Sequence, residues 1–303
     1  MDIGAIVVTY FPNEILLARL VRCIGNSVKK IYVIDNTPNE SKTWLTSQWL
    51  SEFGLDICYH DLGENCGIAK AQNIGIDFAI KDCCDHVILF DQDSAPPREM
   101  IGTLANAELK LLTSGVSVGS VAPLFFDEKT KEYSPAIRHS GLMVHKVKVS
   151  PGDILPVAAD HLIASGSLIR TSVLQEVGVM REELFIDWVD IEWGLRAGSF
   201  GYQHFIIPEV AMLHSIGDEF VSLGKKKVNL HSDIRNYYIV RNACYLIRDK
   251  SVNWQWRTYI LFKVPKYVIF YSLTTLSLKR GKTFLLLLKA CVDGFLGKLG
   301  KAF

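Results

Sequence analysis

The chain has 303 residues, enough for one large α/β domain or two modest ones, and its 49% apolar and 21% charged residues are those of a globular protein rather than a disordered one. The formal net charge of +1 hides a split: from Asn253 onward nine Lys/Arg stand against one acid, Asp293, so a body of −7 carries a tail of +8. Such a tail is suited to an anionic surface. The seven cysteines include no C-x-x-C pair and no zinc-type spacing, which implies reduced thiols in a cytosolic protein. The N-terminus runs straight into a strand-like segment, with no basic leader or cleavage site before it.

In chain order, Gly4 to Tyr10 is almost continuously apolar, as a buried strand of a parallel sheet would be. Pro12 can open the helix that follows, where Ile15, Leu16, Leu20, Ile24 and Val28 recur at helical spacing. Lys30 to Asp35 is a second strand, ending in the turn signal Asp35-Asn36-Thr37-Pro38. Leu55 to Tyr59 is a third strand, Gly67 to Lys81 a helix, and His86 to Phe90 a fourth strand that stops at Asp91. This alternation predicts a parallel sheet with right-handed crossovers, whose ligands sit at the carboxyl ends of the strands. Tyr10, Asp35 and Asp91 lie at such ends.

From Val118 to Arg170 the pattern is short strands and turns, including Gly119 to Pro123, His139 to Val149, and Leu168 to Arg170. Helical patterning returns at Ser172 to Val177, at Trp188 to Ser199 and beyond Lys225. The tail segments Val264 to Leu278 and Phe284 to Leu288 are strongly apolar, but lysines interrupt them before the roughly 20 residues of a membrane span are reached. A basic, aromatic, interrupted segment fits a helix lying in the membrane interface; packing on the body or on a second subunit is the alternative.

Two carboxylates just past a buried strand, as in Asp91-Gln92-Asp93, can converge on one divalent cation bridging to a diphosphate, although the tripeptide alone is common. Neither G-x-x-x-x-G-K-[ST] nor G-x-G-x-x-G after the first strand occurs. Asp35 can accept from the imide N–H of a pyrimidine or simply cap its turn. Asn65, Gly67 and Asn73 form a small-residue corner, and Asn73 within a helix calls for a partner. Asp187, Asp190 and Glu192 cluster near a helix start between Trp188 and Trp193, where a carboxylate can serve as a general base or as a cap. Arg235 and Arg241 flank two tyrosines and can clamp phosphate or form a helical surface.

In order, Val8-Thr9-Tyr10, Asp35-Asn36, Asn65-x-Gly67 with Asn73, Asp91-Gln92-Asp93-Ser94, Ser165-Gly166-Ser167, Phe185 to Trp193, His214 to Gly217 and Arg235 to Asn242 resemble the family 2 glycosyltransferases of the GT-A fold. Within them the likeness is to the rhamnosyltransferases that build bacterial surface polysaccharides such as O-antigen. The resemblance implies a catalytic domain over residues 1–252, with 253–303 a helical extension for membrane association or homo-oligomer formation. It implies inverting transfer of L-rhamnose from dTDP-β-L-rhamnose to a hydroxyl of a polyprenyl-diphosphate-linked glycan, with Mg²⁺ or Mn²⁺ and no nucleic acid, at the inner face of the cell membrane. It places Asp190 as catalytic base, with Asp187 and Arg196 beside it; Val189 stands where the family often has an acid, so Asp187 competes for the base role. Thr9, Tyr10, Asp35, Asn65, Gly67, Asn73, Asp91, Gln92, Arg235 and Arg241 would bind the nucleotide sugar. Gly166, Ser167, Trp188, Glu192 and Trp193 would line the acceptor site, and Asp93, Asp91 and His214 would hold the metal. Competing readings are the same fold with a UDP-hexose donor, a sugar nucleotidyltransferase, which would want a glycine-rich basic loop near the N-terminus, and a non-enzymatic membrane scaffold.

Overall fold

The structure is a computed structural model; it describes the backbone of residues 1–41, 44–128, 130–141, 143–214, 219–223, 226–230, 232–274 and 280–303, with the side chains of 214–231 and 274–281 outside the description. The first half alternates β1 (Ile3–Thr9), α1 (Glu14–Ile24), β2 (Lys30–Asp35), α2 (Ser47–Ser51), β3 (Ile57–Asp61), α3 (Ile68–Lys81), β4 (His86–Asp91), α4 (Met100–Thr113) and β5 (Val118–Asp127). Short strands follow: β6 (Glu132–Tyr133), the hairpin β7 (Ala136–Ser140) and β8 (Met143–Val147), β9 (Val157–Ala159) and β10 (Leu168–Arg170). Then come α5 (Thr171–Val177), α6 (Val189–Ser199), β11 (Gln203–His214), the hairpin β12 (Glu219–Leu223) and β13 (Lys226–Leu230), and the helices α7 (Asp233–Arg248), α8 (Trp254–Thr274) and α9 (Arg280–Leu296).

Among the described residues one nine-stranded sheet runs β3-β2-β1-β4-β10-β5-β11-β9, with β6 beside β5. β1, β2, β3 and β4 are parallel, as the alternating pattern predicts, and β5 is parallel to β11; β10 enters antiparallel between β4 and β5. Every residue of β1 is buried because helices cover both faces. The period of two then sorts the side chains: Ala5 and Val7 pack with Leu17 of α1 and Leu104 of α4, whereas Ile6 and Val8 pack with Ile76 of α3 and Trp193 of α6.

Local structure differs from the sequence reading in four places, the first being the stretch beyond Lys225, expected to be helical, where Lys226–Leu230 is the strand β13 and helix resumes only at Asp233. Asn13 rather than Pro12 caps α1, its Oδ1 accepting from Leu16 N at 3.1 Å. The third strand begins two residues later than expected, at Ile57. Helix α4, which the sequence reading passes over, buries Met100, Ile101, Leu104 and Ala107. The tail forms α8 and α9, and their apolar sides share a core with α7, Phe185 and Trp188. No helix among the described residues is long and apolar enough to cross a membrane.

Gly75 lets α3 approach β1, since a Cβ there would lie 2.5 Å from Ile6 Cγ2. Gly75→Val is therefore expected to lower stability by about 1–3 kcal/mol, read from chemical denaturation at unchanged cofactor and pH.

Candidate active site

The carboxyl ends of β1, β2 and β4 lie side by side, with Thr9 in register with Asp35 and Val8 with Asp91. Asp35 is buried there: Thr9 Oγ1 donates to its Oδ1 at 3.1 Å, Thr37 N donates to the same oxygen at 3.1 Å, and the Tyr59 hydroxyl donates to Oδ2 at 3.0 Å. Three of roughly four lone-pair positions are thus taken, which leaves one for a further donor. Above this floor, Asn36 Nδ2 donates to Asn65 Oδ1 (3.0 Å), which also accepts from Gly67 N (3.0 Å), while Asn36 Oδ1 accepts from Cys66 N (2.7 Å). Gly67 has φ 86°. Its lack of a side chain is required, because a Cβ would sit 2.6 Å from the Phe185 carbonyl oxygen, to which Ile68 N donates at 2.8 Å. An open cleft of about 300 Å³ results, lined by Val8, Tyr10, Asn36, Asn65, Gly67, Asp91, Gln92, Asp93 and Phe185.

Gln92 is held by the end of β1 rather than aimed at a ligand. Its Oε1 accepts from Tyr10 N (2.7 Å) and its Nε2 donates to Tyr10 O (3.0 Å), so its amide pairs as a neighbouring strand would and sets the half-exposed Tyr10. Asp91 and the exposed Asp93 offer hard oxygen donors on the cleft wall, a set suited to Mg²⁺ or Mn²⁺. The backbone bridge between Ala95 and Leu213 brings the His214 backbone beside this turn; the His214 side chain lies outside the described residues. Among the described residues no group of three or more His, Cys, Asp or Glu could hold a metal ion.

The second half of the site is the loop before α6. Phe185, Asp187 and Trp188 all have left-handed backbones, at φ 65°, 62° and 66°. Such a cluster of non-glycine residues is costly and must be held from outside. Helix α7 holds it. Asn242 Nδ2, fully buried, lies within 2.9–3.0 Å of the carbonyl oxygens of Leu184, Ile186 and Asp187. Trp188 Nε1 donates to Ile239 O at 3.0 Å, and Arg235 bonds the Asp187 carboxylate at 3.2–3.3 Å.

At the start of α6, Asp190 Oδ2 accepts from Ala164 N (3.2 Å) and Oδ1 from Ile191 N (2.8 Å). Burial raises its pKa from 3.8 to about 6, with the Asp187 charge adding to the rise against those two N–H groups. Asp187 is paired with Arg235, whereas Asp190 has no cationic partner among the hydrogen bonds and ion pairs described for it.

Several expected ligand contacts prove to be structural. Arg196 donates to Glu192 and to the carbonyls of Val177 and Val179, and Glu192, with no exposed surface, also pairs with Arg181. These two are a strut between α6 and the segment after α5, away from acid–base work and acceptor alike. Trp193 is buried with Nε1 on Gly178 O at 2.9 Å, and Trp188 is similarly enclosed. Asn73 ties α3 to Met180 in both directions, at 2.8 and 2.9 Å. Arg241 is 1% exposed and spans Asn242 and the carbonyls of Leu184 and Gly300, so it is unavailable to phosphate. Ser167 bonds inward to Ile163 O at 2.6 Å, and Gly166 packs on Pro123. Buried polar groups take protein partners wherever they can, and sequence spacing does not say which. Conversely, the sequence reading gave no role to Asn242 or to the Ser94–Ser165 hydroxyl pair (2.6 Å) behind Asp91. The poor helix propensity that singled out Asn73 applied equally to Asn242.

A sheet of this order, with an acidic turn ending a central strand and a raised carboxyl at the start of a neighbouring helix, defines a nucleotide-sugar glycosyltransferase. The chain belongs to glycosyl transferase family 2, whose sequence profile matches residues 5–178. It is 34% identical over 306 aligned residues to dTDP-rhamnosyl transferase RfbF of Shigella flexneri, covering 99% of this chain and 97% of that one. It is 22% identical over 261 residues to the low-salt glycan biosynthesis hexosyltransferase Agl10 of Haloferax volcanii, covering 83% and 78%. Among solved structures, S. aureus TarS 1-349 in complex with UDP-GlcNAc is similar at TM-score 0.58 and 15% identity, over 97% of this chain and 81% of that one. GalNAc-T7 with UDP, GalNAc and Mn²⁺ is similar at TM-score 0.59 and 13% identity, over 91% and 58%. These two structures share the fold.

The raised Asp190 gives opposite signs for activity and stability. Proton acceptance needs the carboxylate, so turnover should rise with pH through about 6 and then level. The folded state binds this proton more tightly than the unfolded state, so its stabilising contribution is complete below 3.8 and lost as pH rises through about 6. Asp190→Asn should therefore melt higher than wild type above about pH 7, with the gap closing near pH 4, as scanning calorimetry would read.

Proposed function

We propose that the protein is an inverting rhamnosyltransferase that moves L-rhamnose from dTDP-β-L-rhamnose to a hydroxyl of a lipid-linked glycan in surface-polysaccharide synthesis. The observation that carries the chemistry is Asp190, a carboxyl at the start of α6 whose burial raises its pKa to about 6 while Ala164 N and Ile191 N donate to its two oxygens. The choice of donor is supported by the full-length relative RfbF, a dTDP-rhamnosyl transferase.

In this reading the thymine lies on the floor made by Thr9 and Asp35, whose remaining lone pair accepts from the imide N–H. Asn65 and Gly67 shape the wall that the ribose and diphosphate pass, and Asp91 meets the sugar nucleotide. Asp93, with Asp91 and His214, would hold Mg²⁺ or Mn²⁺, which when bound offsets the charge of a diphosphate leaving group. Asp190 takes the proton of the acceptor hydroxyl as its oxygen forms a bond to the anomeric carbon. The bond from that carbon to the diphosphate breaks on the opposite face. One displacement inverts the centre, so the β-linked donor gives an α-rhamnoside. The ion pair of Asp187 with Arg235 keeps the loop in place and adds negative potential at Asp190.

Asp190→Asn is expected to lower kcat by at least about 100-fold with dTDP-binding intact, and a chelator to abolish turnover until Mg²⁺ or Mn²⁺ is restored. Release of nucleoside diphosphate, measured across dTDP-rhamnose, UDP-galactose and UDP-GlcNAc, decides the donor. Faster turnover with a UDP-hexose would sink the rhamnosyl assignment, and retained transfer in Asp190→Asn would sink the base.

We assign the tail to peripheral attachment at the inner membrane face. What supports this is its +8 charge together with the outward Leu285 and Leu296 of α9, 65% and 63% exposed. The double variant Leu285→Glu and Leu296→Glu should lose most co-sedimentation with phosphatidylglycerol vesicles; unchanged binding would point to a second subunit as the tail's partner.

A further inference from the structure

A second groove, of about 560 Å³, lies between the β7–β8 hairpin and α8, and the chemistry above makes no use of it. Its walls are Met143, Val144, Tyr259 and Phe262, with Met143 63% and Phe262 65% exposed to solvent. The charged residues that line it are Lys263 and Lys266, and among the described residues no acid does. The groove is therefore apolar along its length and cationic at one edge.

The cationic edge faces the catalytic loop. Lys263 Nζ stands 6.0 Å from the ring centre of Trp188 and 5.3 Å from that of Tyr259. Trp188 lies two residues before Asp190 and is fixed by its bond to Ile239 O. Lys266 itself lies within an outward face of α8 that continues past the groove. Phe262, Lys266, Ile269 and Leu273 are four, three and four residues apart, which puts them on one helical face. Ile269 and Leu273 are 58% and 57% exposed. Between Phe262 and Leu273 the helix rises about 16 Å, a stripe long enough for several units of a hydrocarbon chain. Exposed apolar stripes of this kind mark a partner.

We propose that this groove binds the lipid-phosphate end of the acceptor: a polyprenyl chain on Phe262, Tyr259 and Met143, and its phosphate between Lys263 and Lys266. Two ammonium groups set beside an apolar wall, one of them 6.0 Å from the Trp188 ring, are what favour this occupant over a bulk bilayer. A phosphate at Lys263 leaves the attached sugar next to Trp188 and the loop that carries Asp190, with the chain leading outward along α8. Charge complementarity and apolar burial then act on one molecule, and an ammonium over an aromatic ring beside an apolar wall gains from both. The inference rests on the transferase reading above and specifies where its lipid-linked acceptor enters.

The test uses the full-length protein and a C15 prenyl diphosphate, with the matching prenyl alcohol and inorganic diphosphate as controls. Wild type should bind the prenyl diphosphate at least about tenfold more tightly than either control, and Lys263→Gln with Lys266→Gln, or Phe262→Asp alone, should each weaken it at least about tenfold. These side chains are exposed, so unchanged melting temperatures check that the variants are folded. Equal binding of the alcohol, equal binding of inorganic diphosphate, or variants that bind like wild type would each overturn the proposal. So would full displacement of the probe by phosphatidylglycerol vesicles, which would make the groove a membrane contact. Thermal stabilisation of wild type by dTDP with Mg²⁺ is measured alongside. Its absence would count against the transferase reading itself, whereas failure of the prenyl comparison with dTDP binding intact concerns the groove alone.

Discussion

The grip of α7 on the loop 184–188 is the constraint on which the site depends. Three left-handed non-glycine residues within four positions would relax if left alone, at a cost of order 1–3 kcal/mol each. Asn242 prevents this by reaching the carbonyls of Leu184, Ile186 and Asp187, and Arg241 braces Asn242 from behind. The strained backbone then does two things at once. The Phe185 carbonyl accepts from Ile68 N and closes against Gly67, which shapes the donor cleft. The turn at Trp188 starts α6 so that Asp190 meets Ala164 N. A single buried amide on α7 thus sets both the Phe185 wall of the cleft and the start of α6 that carries Asp190.

That dependence changes the meaning of the tail. Residues after 252 read as an appendage in the sequence because their composition shifts so sharply. In the structure Tyr237 and Tyr238 of α7 pack in one core with Trp256, Ile260 and Leu287 of α8 and α9, and Tyr237 donates to Asp293 at 2.7 Å. Gly294 sits so close that a Cβ would meet the Arg241 carbonyl oxygen at 2.2 Å. The tail's inner face therefore supports the helix that holds the catalytic loop, while its outer face keeps apolar residues in solvent.

Legibility followed from physical range. The strands β1, β2 and β4, and the candidate acids at their ends, were readable because a continuous apolar run bounded by a turn signal is a local property. Helix α4 was passed over because Gly102, Asn106 and Glu108 dilute its pattern, although its buried face is clear once β5 is in place. The cleft at the strand ends is lined together by Tyr10, Asn65, Gly67, Asp91 and Asp93. Arg196, expected beside the base, Arg241, expected on the nucleotide sugar, and Glu192 and Trp193, expected on the acceptor, all have protein partners instead, and for one reason. A charged or aromatic residue in a motif looks like a ligand contact, yet within a packed domain it must first be satisfied by whatever lies nearest. Arg196 found the carbonyls of Val177 and Val179, which no spacing rule would supply.

The division between legible and illegible coincides with a division in the chemistry. The family profile ends at residue 178, before the loop that carries Asp190 and before all of α7 to α9. The part it covers builds the donor cleft, and a nucleoside diphosphate presents the same groups whatever sugar it carries: a base edge, a ribose and two phosphates. Strand ends with fixed registers, such as Thr9 against Asp35 and Val8 against Asp91, answer that constancy. The carboxylate of Asp190 lies outside that part, at the start of α6. It is presented by a loop of high backbone energy clamped from outside. The strain is tolerable because α7, α8 and α9 form a core of their own on which the clamp can rest, and that core in turn provides the groove next to Trp188.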